Sequence, residues 1–121
     1  MTNGPRALVL DEPLSLWGGM DPATGLIIDA HHPQRGTSLS GKVVVMAAAR
    51  GSSSSASVLA EAVRAGTAPA AFVIGEPDLI LAIGAEVAAE LYGTRVPVIV
   101  ADPDRLATIR DGEPVDLDAL T

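Results

Sequence analysis

Short apolar runs and longer apolar-periodic runs alternate along the chain, which predicts strands followed by helices. The run Val43–Met46 is apolar, mostly β-branched and without polar interruption, as expected of a buried strand. Apolar residues then recur at helical spacing until a glycine ends the run: Val58, Leu59, Ala62 and Val63, followed by Gly66. The next apolar runs are residues 70–74 and 97–100. The pattern therefore predicts successive strand–helix units of an α/β domain.

A further helix is predicted between the last two of these strands. Asp78 is a good N-cap for it, and Gly93 ends it. Glu86 and Glu90 are expected to point to solvent, whereas one face of the helix is apolar and carries Ile80, Ile83, Val87 and Leu91. Gly84 costs a helix about 1 kcal/mol relative to alanine. We therefore expect a neighbouring backbone to approach closely at Gly84.

The N-terminal third carries strand and turn signals. Residues 6–10 alternate weakly and predict a first strand. Residues 13–19 alternate until paired glycines break the run, and residues 26–28 are apolar again. Turn-forming residues occupy 21–25, between these two runs. The whole segment predicts a β-hairpin.

The tail predicts a helical turn at 104–109 and a short strand at 115–117. No internal repeat or long linker divides the sequence, so residues 1–121 are interpreted as one domain. Apolar residues make up 48% of the chain, but there is one Phe, one Trp and one Tyr. The core is therefore expected to consist of Ala, Val, Leu and Ile.

Charge and cysteine content exclude several classes of function. The net charge is −7, which argues against nucleic acid or an anionic membrane as a partner. Without cysteine, the chain can form no disulfide, no thiolate zinc site and no iron–sulfur cluster of its own. No apolar run reaches the roughly 18 residues of a membrane helix, and the first residues do not resemble a signal peptide. We expect a soluble, cytoplasmic protein.

The stretch 49–57 joins a predicted strand to a predicted helix and is rich in serine. Gly51 allows a tight turn, and the serines after it lie where the first helical N–H groups have no partner within the helix. Amides, hydroxyls and the positive end of the helix dipole converge there, so the loop is suited to binding an anion. A plain helix cap is the simpler interpretation. The Gly-Lys-Ser/Thr ending of a nucleotide-binding P-loop is absent.

Other polar residues offer weaker alternatives. Ser52, His32 and Asp29 could form a Ser-His-Asp triad, but the sequence around the serine lacks a nucleophile signature. Asp29, His31 and His32 could be metal ligands, although adjacent residues in an extended loop point in opposite directions, which favours a solvated loop. The segment 76–78 follows a buried strand, where α/β proteins place ligands, and is equally consistent with a capped turn.

A set of short motifs in one order resembles the swivel domain of the aconitase X family. They are PLSLWGGMDPATGLIID at 13–29, HP at 32–33, GKV at 41–43, RGS at 50–52, APAA at 68–71 and AIGA at 82–85. The resemblance runs from about residue 8 to residue 102 and implies a swivelling β/β/α fold. In this family the domain is either fused to a large catalytic domain or made as a separate small subunit.

The resemblance implies a dehydratase. Family members remove water from cis-3-hydroxy-L-proline, giving pyrroline-2-carboxylate, or from mevalonate 5-phosphate. Their iron–sulfur ligands come from the large part, which agrees with the lack of cysteine here. We therefore expect a small subunit that is inactive alone and forms a heterodimer with a large subunit. The acidic, lysine-poor and alanine-rich composition resembles the bacterial members more than the archaeal mevalonate-phosphate branch, so cis-3-hydroxy-L-proline is the expected substrate and mevalonate 5-phosphate is the alternative.

The resemblance also implies site residues. The serine after Arg-Gly is taken as the general base, which here is Ser52, and Arg50 would stabilise its alkoxide. Gly51, Ser53 and Ser54 would contact the substrate. Family members often have Ser, Cys or Thr and then Gly before the next serine, whereas this loop has four serines and then alanine. The neighbours of Ser52 therefore stay open as alternative bases.

Two alternatives to a dehydratase subunit belong to other classes of function. Residues 82–100 also resemble the swivelling phosphohistidine domain of phosphotransferases, but that domain carries a histidine just before the helix. This chain has no histidine after residue 32, which excludes phosphoryl transfer through that motif. A free-standing domain that binds an anion or small molecule at the serine loop is the remaining alternative.

Overall fold

A four-stranded parallel sheet lies at the centre of the computed structural model, which describes residues 4–49 and 54–120. Its strands follow each other in chain order: β1 Ala7–Val9, β2 Val43–Met46, β3 Ala71–Ile74 and β4 Val98–Val100. Val44 is paired with Leu8 on one side and with Phe72 on the other. The sequence-based prediction of an α/β domain with successive strand–helix units is confirmed.

Within the part of the chain that the structure describes, four segments accompany the sheet: α1 Leu16–Gly19, whose two central residues are not helical, and the helices α2 Ser55–Ala65, α3 Leu79–Tyr92 and α4 Pro103–Ala107, followed by a 3₁₀ turn at Leu117–Leu120. Strand order equals chain order, and parallel crossovers are right-handed, so α2 and α3 lie on the same face of the sheet. The two helices also pack against each other. This arrangement puts the N-termini of both helices at the carboxyl edge of the sheet.

Strand side chains alternate between two cores. Val44 and Met46 face the core shared with α2, α3 and the segment between β1 and β2. Val43 and Val45 face the opposite core, which the tail covers with Leu106, Ile109 and Val115. Both faces of the sheet are therefore covered, as is usual for parallel strands.

The predicted strand at residues 13–19 is wrong. Trp17 (φ −73°, ψ 118°) and Gly18 (φ 78°, ψ −12°) have the dihedral angles of the two central residues of a type II turn. Glycine tolerates the positive φ, so the chain bends there instead of extending. Of the predicted hairpin, an isolated antiparallel bridge between Met20 and Ile27 forms around the turn at 21–25.

The tail also differs from its prediction. The helical turn forms as α4, but residues 115–117 do not make a strand. Pro114 instead forms an isolated antiparallel bridge with Arg6, and the 3₁₀ turn follows. A proline has no N–H to donate, which limits the pairing available to a strand at this position.

The apolar face that the sequence indicates for α3 is not its packed face. Small residues dominate the buried side, which comprises Leu81, Gly84, Ala85 and Ala88. Ile83, Val87 and Leu91 are exposed. Close packing of α3 against α2 explains the difference, because only small side chains fit where two helix backbones approach each other.

Candidate functional site

Residues 47–54, called the serine loop below, connect the end of β2 at Met46 to the start of α2 at Ser55, and both of these ends lie at the carboxyl edge of the sheet. Its first residues, 47–49, and Ser54 are described. Arg50, Gly51, Ser52 and Ser53 lie outside the described residues, so the roles predicted for them stay predictions. What the structure gives is the frame that holds both ends of this loop.

Gly75 holds the first end of the loop. Its N–H donates to the carbonyl oxygens of Met46 at 3.3 Å and Ala47 at 2.9 Å. A Cβ at Gly75 would lie 2.6 Å from the Ala47 oxygen, closer than real side chains approach. The residue after β3 therefore has to be glycine for the chain after β2 to pass so near.

Ser55 holds the second end. Its side chain is buried, and its Oγ accepts a hydrogen bond from the Trp17 backbone N–H at 3.4 Å. Ser54, before it, already has helical dihedral angles (φ −74°, ψ −12°), and its carbonyl accepts from the Val58 N–H at 3.2 Å. Ser55 is thus a structural member of the serine run, and it attaches the Trp17 turn to the first turn of α2.

The first turn of α2 is also fixed against α3. A Cβ at Gly84 would lie 2.8 Å from the Cα of Ala56 and 3.1 Å from its Cβ. The expectation that a backbone approaches Gly84 is confirmed, and the approaching residue is Ala56. The contact fixes the position of the α2 N-terminus relative to α3, and the positive end of the α2 dipole favours negative charge there.

The turn between β3 and α3 adds acidic groups to the same edge. The Asp78 Oδ1 accepts from the Leu81 N–H at 2.9 Å, which confirms Asp78 as the N-cap of α3. Glu76 is exposed. Its carboxylate adds negative charge near an edge where the helix N-termini favour anions.

His32 has a structural role. It is buried, its Nδ1 accepts from the Gln34 N–H at 3.1 Å, and its Nε2 lies 3.0 Å from the Glu12 carbonyl oxygen. Asp29 is engaged elsewhere, because its Oδ1 accepts from the His31 N–H at 2.9 Å. Both ring nitrogens of His32 are occupied by the backbone, so no side of the imidazole is left to activate a serine.

The metal-site alternative receives no support either. Across residues 4–49 and 54–120, no group of three or more His, Asp or Glu side chains is placed to hold a metal ion. No helix within these ranges is long and apolar enough to span a bilayer.

Perturbed side-chain pKa values occur at an exposed pair on α2. The hydrogen bond from the Arg64 guanidinium, with the attraction of its charge, lowers the pKa of the Glu61 carboxyl. The same bond raises the pKa of Arg64. The pair lies in the last turns of α2, away from the serine loop that precedes the helix. Its interaction is confined to the helix surface.

A model of the aconitase X swivel domain matches residues 3–121. The chain belongs to the aconitase X swivel-domain family. The match spans nearly the whole sequence and confirms the family that the motifs indicated.

Two kinds of curated relative are similar to this chain. A cis-3-hydroxy-L-proline dehydratase of Pseudomonas aeruginosa is 48% identical over 85 residues, which are 70% of this chain and 15% of that protein. A phosphomevalonate dehydratase small subunit of Methanothermobacter thermautotrophicus is 37% identical over 117 residues, 96% of this chain and 84% of that protein. The chain therefore spans about 15% of the length of one kind and most of the length of the other.

The fold agrees with a solved member of the family. The crystal structure of Thermococcus kodakaraensis aconitase X in its holo form superposes with a TM-score of 0.78 at 30% identity. The superposition covers 89% of this chain and 76% of that chain. The swivel-domain fold expected from the resemblance is confirmed, as a mixed α/β fold with a four-stranded parallel sheet.

Proposed function

We propose that this chain is the small swivel subunit of an aconitase X-type dehydratase and that its serine loop supplies the base for removal of water from a hydroxy acid. The observation that carries the proposal is the family match over residues 3–121. The 37% identity to a phosphomevalonate dehydratase small subunit over 96% of this chain supports the role of a small subunit. The framed loop at the N-terminus of α2 gives the proposal a physical site.

The base in this proposal is Ser52, with Arg50 as its electrostatic support. A serine hydroxyl is a very weak base in water, so it must act as an alkoxide held by positive charge and amide dipoles. The α2 N-terminus supplies dipoles, and Arg50 would supply the charge. Gly51, Ser53 and Ser54 would contact the substrate carboxylate through N–H and hydroxyl groups.

The proposed reaction is an abstraction of a proton followed by the loss of water. Both named substrates carry a hydroxyl on the carbon next to the one that bears the carboxylate group. The proton on the α-carbon passes to the serine oxygen, and the C–H electron pair forms the new double bond. The hydroxyl leaves the adjacent carbon as water after taking up a proton. The role of this chain is to accept the first proton and to orient the carboxylate.

An iron–sulfur cluster does not fit on this chain. It has no cysteine, and the described residues offer no alternative group of ligands. We therefore propose that any cluster belongs to the large partner, and we assign none of its chemistry to residues of this chain.

For the substrate we propose cis-3-hydroxy-L-proline. The 48% identity to the Pseudomonas aeruginosa dehydratase and the acidic, lysine-poor composition support this choice. Mevalonate 5-phosphate is the second candidate, because the relatives that this chain matches along most of their length are phosphomevalonate dehydratase small subunits.

The experiment is to co-express the chain with a large subunit encoded beside it and to offer both substrates to the purified complex. We expect turnover of cis-3-hydroxy-L-proline by the complex and none by either chain alone. Turnover of the phosphate ester alone would reverse the choice of substrate. Dehydratase turnover by the isolated chain would contradict the two-subunit proposal, and anion binding without turnover in any combination would favour a free-standing binding domain.

A further inference from the structure

The outer face of α3 carries an apolar stripe that no described part of the chain covers. Four large side chains follow one another at intervals of four residues, and each is substantially exposed: Leu79 (74%), Ile83 (49%), Val87 (43%) and Leu91 (65%). A groove of about 260 Å³ runs beside them and is lined by Ile83, Glu86, Val87 and Glu90. Scattered exposed apolar residues are ordinary, but a continuous stripe along one helix indicates a contact surface.

The stripe begins at the edge of the sheet where α2 starts. Ala56 is the second residue of α2 and lies against Gly84, the sixth residue of α3. Because both helices start at the same edge of the sheet, α3 extends beyond the start of α2 by four residues, or roughly 6 Å. Leu79 at the tip of α3 therefore lies beyond the first turn of α2, at the edge of the sheet from which α2 starts.

A second exposed apolar group contacts the start of α2. Trp17 is 58% exposed, and its backbone is bonded to Ser55 in the first turn of α2. Trp17 thus contacts the first turn of α2 through Ser55, and α3 contacts the same turn through Ala56. A partner that closes over the serine loop would cover both.

Charge decides between a second copy of this chain and a different partner. Glu86 and Glu90 border the stripe, Glu86 with an exposed ion pair to Arg95 of the same chain at 3.7 Å, and each chain has a net charge of −7. Two copies packed stripe to stripe would bring these carboxylates and two acidic chains together, which is unfavourable. The complementary surface is apolar in the middle with basic side chains around it.

We propose that the α3 stripe is the surface on which the large catalytic chain docks, with Ile83 and Val87 at its centre and basic residues of that chain facing Glu86 and Glu90. The inference rests on the proposed function for the identity of the occupant. It assigns to α3 the task of placing the serine loop against the partner's part of the active site.

The test compares the affinity of the large chain for two variants of this chain by titration calorimetry. Ile83→Asn combined with Val87→Asn removes the centre of the stripe, and Ala82→Asn is the control on the exposed side of the same helix outside the stripe. About half of each large side chain is still open to burial, so the double variant is expected to raise Kd about 30-fold. The control should bind within about threefold of the unchanged chain. Circular dichroism establishes that each variant is folded.

The outcomes separate this inference from the proposed function. An unchanged Kd for the double variant, in a complex that turns over substrate, would overturn the docking surface and leave the proposed function standing. A weakened double variant together with no turnover by the unchanged complex would leave the docking surface standing and contradict the function. We expect added salt to weaken the complex, because it screens the pairs at Glu86 and Glu90. Self-association through the stripe that strengthens with salt would overturn the choice of partner.

Discussion

Gly84 of α3 lies so close to Ala56 of α2 that a Cβ on the glycine would be 2.8 Å from the alanine Cα. The atom in the way is backbone, so it cannot turn aside as a flexible side chain could. This single contact sets the spacing of the two helices and the position of the α2 N-terminus at the serine loop.

Gly84→Ala should therefore destabilise the fold although alanine is the better helix former. The gain in helix propensity is about 1 kcal/mol, and the cost of forcing helices apart is typically 1–3 kcal/mol. We expect a net loss of up to about 2 kcal/mol in the free energy of unfolding, measured by urea denaturation.

Ala56→Gly provides the matched second variant. It removes the Ala56 Cβ but leaves its Cα and its carbonyl oxygen, which would lie 2.8 and 3.2 Å from the new methyl group. The double variant should accordingly recover only part of the loss. A Gly84→Ala chain more stable than the original would show that the helices are not in such close contact.

The contact also shows what the sequence could predict. The apolar runs predicted β2, β3 and the two long helices because burial and periodicity act locally. Gly84 predicted the close approach of a backbone, because a glycine that destabilises a helix is expected only where another interaction compensates for it. The packed face of α3 could not be predicted, since the pattern of large apolar residues normally marks the core, and here the approach of Ala56 requires a glycine at 84 on the buried side.

The segment between β1 and β2 was predicted less well for a related reason. Alternation from residue 13 onward is compatible with a strand, but the positive φ of Gly18 turns the chain at Trp17. The bond from Trp17 to Ser55 joins residues 38 apart in sequence. No local pattern indicates such a contact, so the structural role of Ser55 within the serine run had to come from the structure.

Ser55→Ala should affect stability and leave catalysis nearly unchanged. The substitution removes the acceptor of the Trp17 N–H, and the loss of one such hydrogen bond costs about 1 kcal/mol. We expect thermal denaturation to show a loss of stability of this size. Turnover of the assembled complex should stay within about threefold of the original. A loss of turnover by orders of magnitude, with the complex intact, would instead make Ser55 the base.

The Glu61 and Arg64 pair predicts a pH dependence of stability. The pKa of Glu61 is lowered in the folded chain, so the pair stabilises the fold above the ordinary carboxyl pKa. This contribution is lost as the pH falls through the lowered pKa. The difference in unfolding free energy between the original chain and Glu61→Gln should therefore be present at pH 7 and vanish in acid.

Arg64→Gln is the control for that difference. In the Arg64→Gln background, the further change Glu61→Gln should alter the free energy of unfolding by the same amount at pH 7 and in acid. The reason is that the guanidinium that lowers the Glu61 pKa is gone. Added salt should reduce the difference in the original background, since both side chains are exposed to solvent. A difference that grows toward acid would contradict the assigned pKa direction.

The most direct test of the proposed function is the turnover of a complex that carries Ser52→Ala, compared with complexes that carry Ser53→Ala or Ser54→Ala. If Ser52 is the general base, its loss should lower kcat by about 10²–10⁴-fold without preventing assembly, and the two neighbours should have much smaller effects. If the serine run only caps α2, Ser52→Ala would cost at most about 1 kcal/mol of stability and leave turnover unchanged. That result, in a fully assembled complex, would contradict the account.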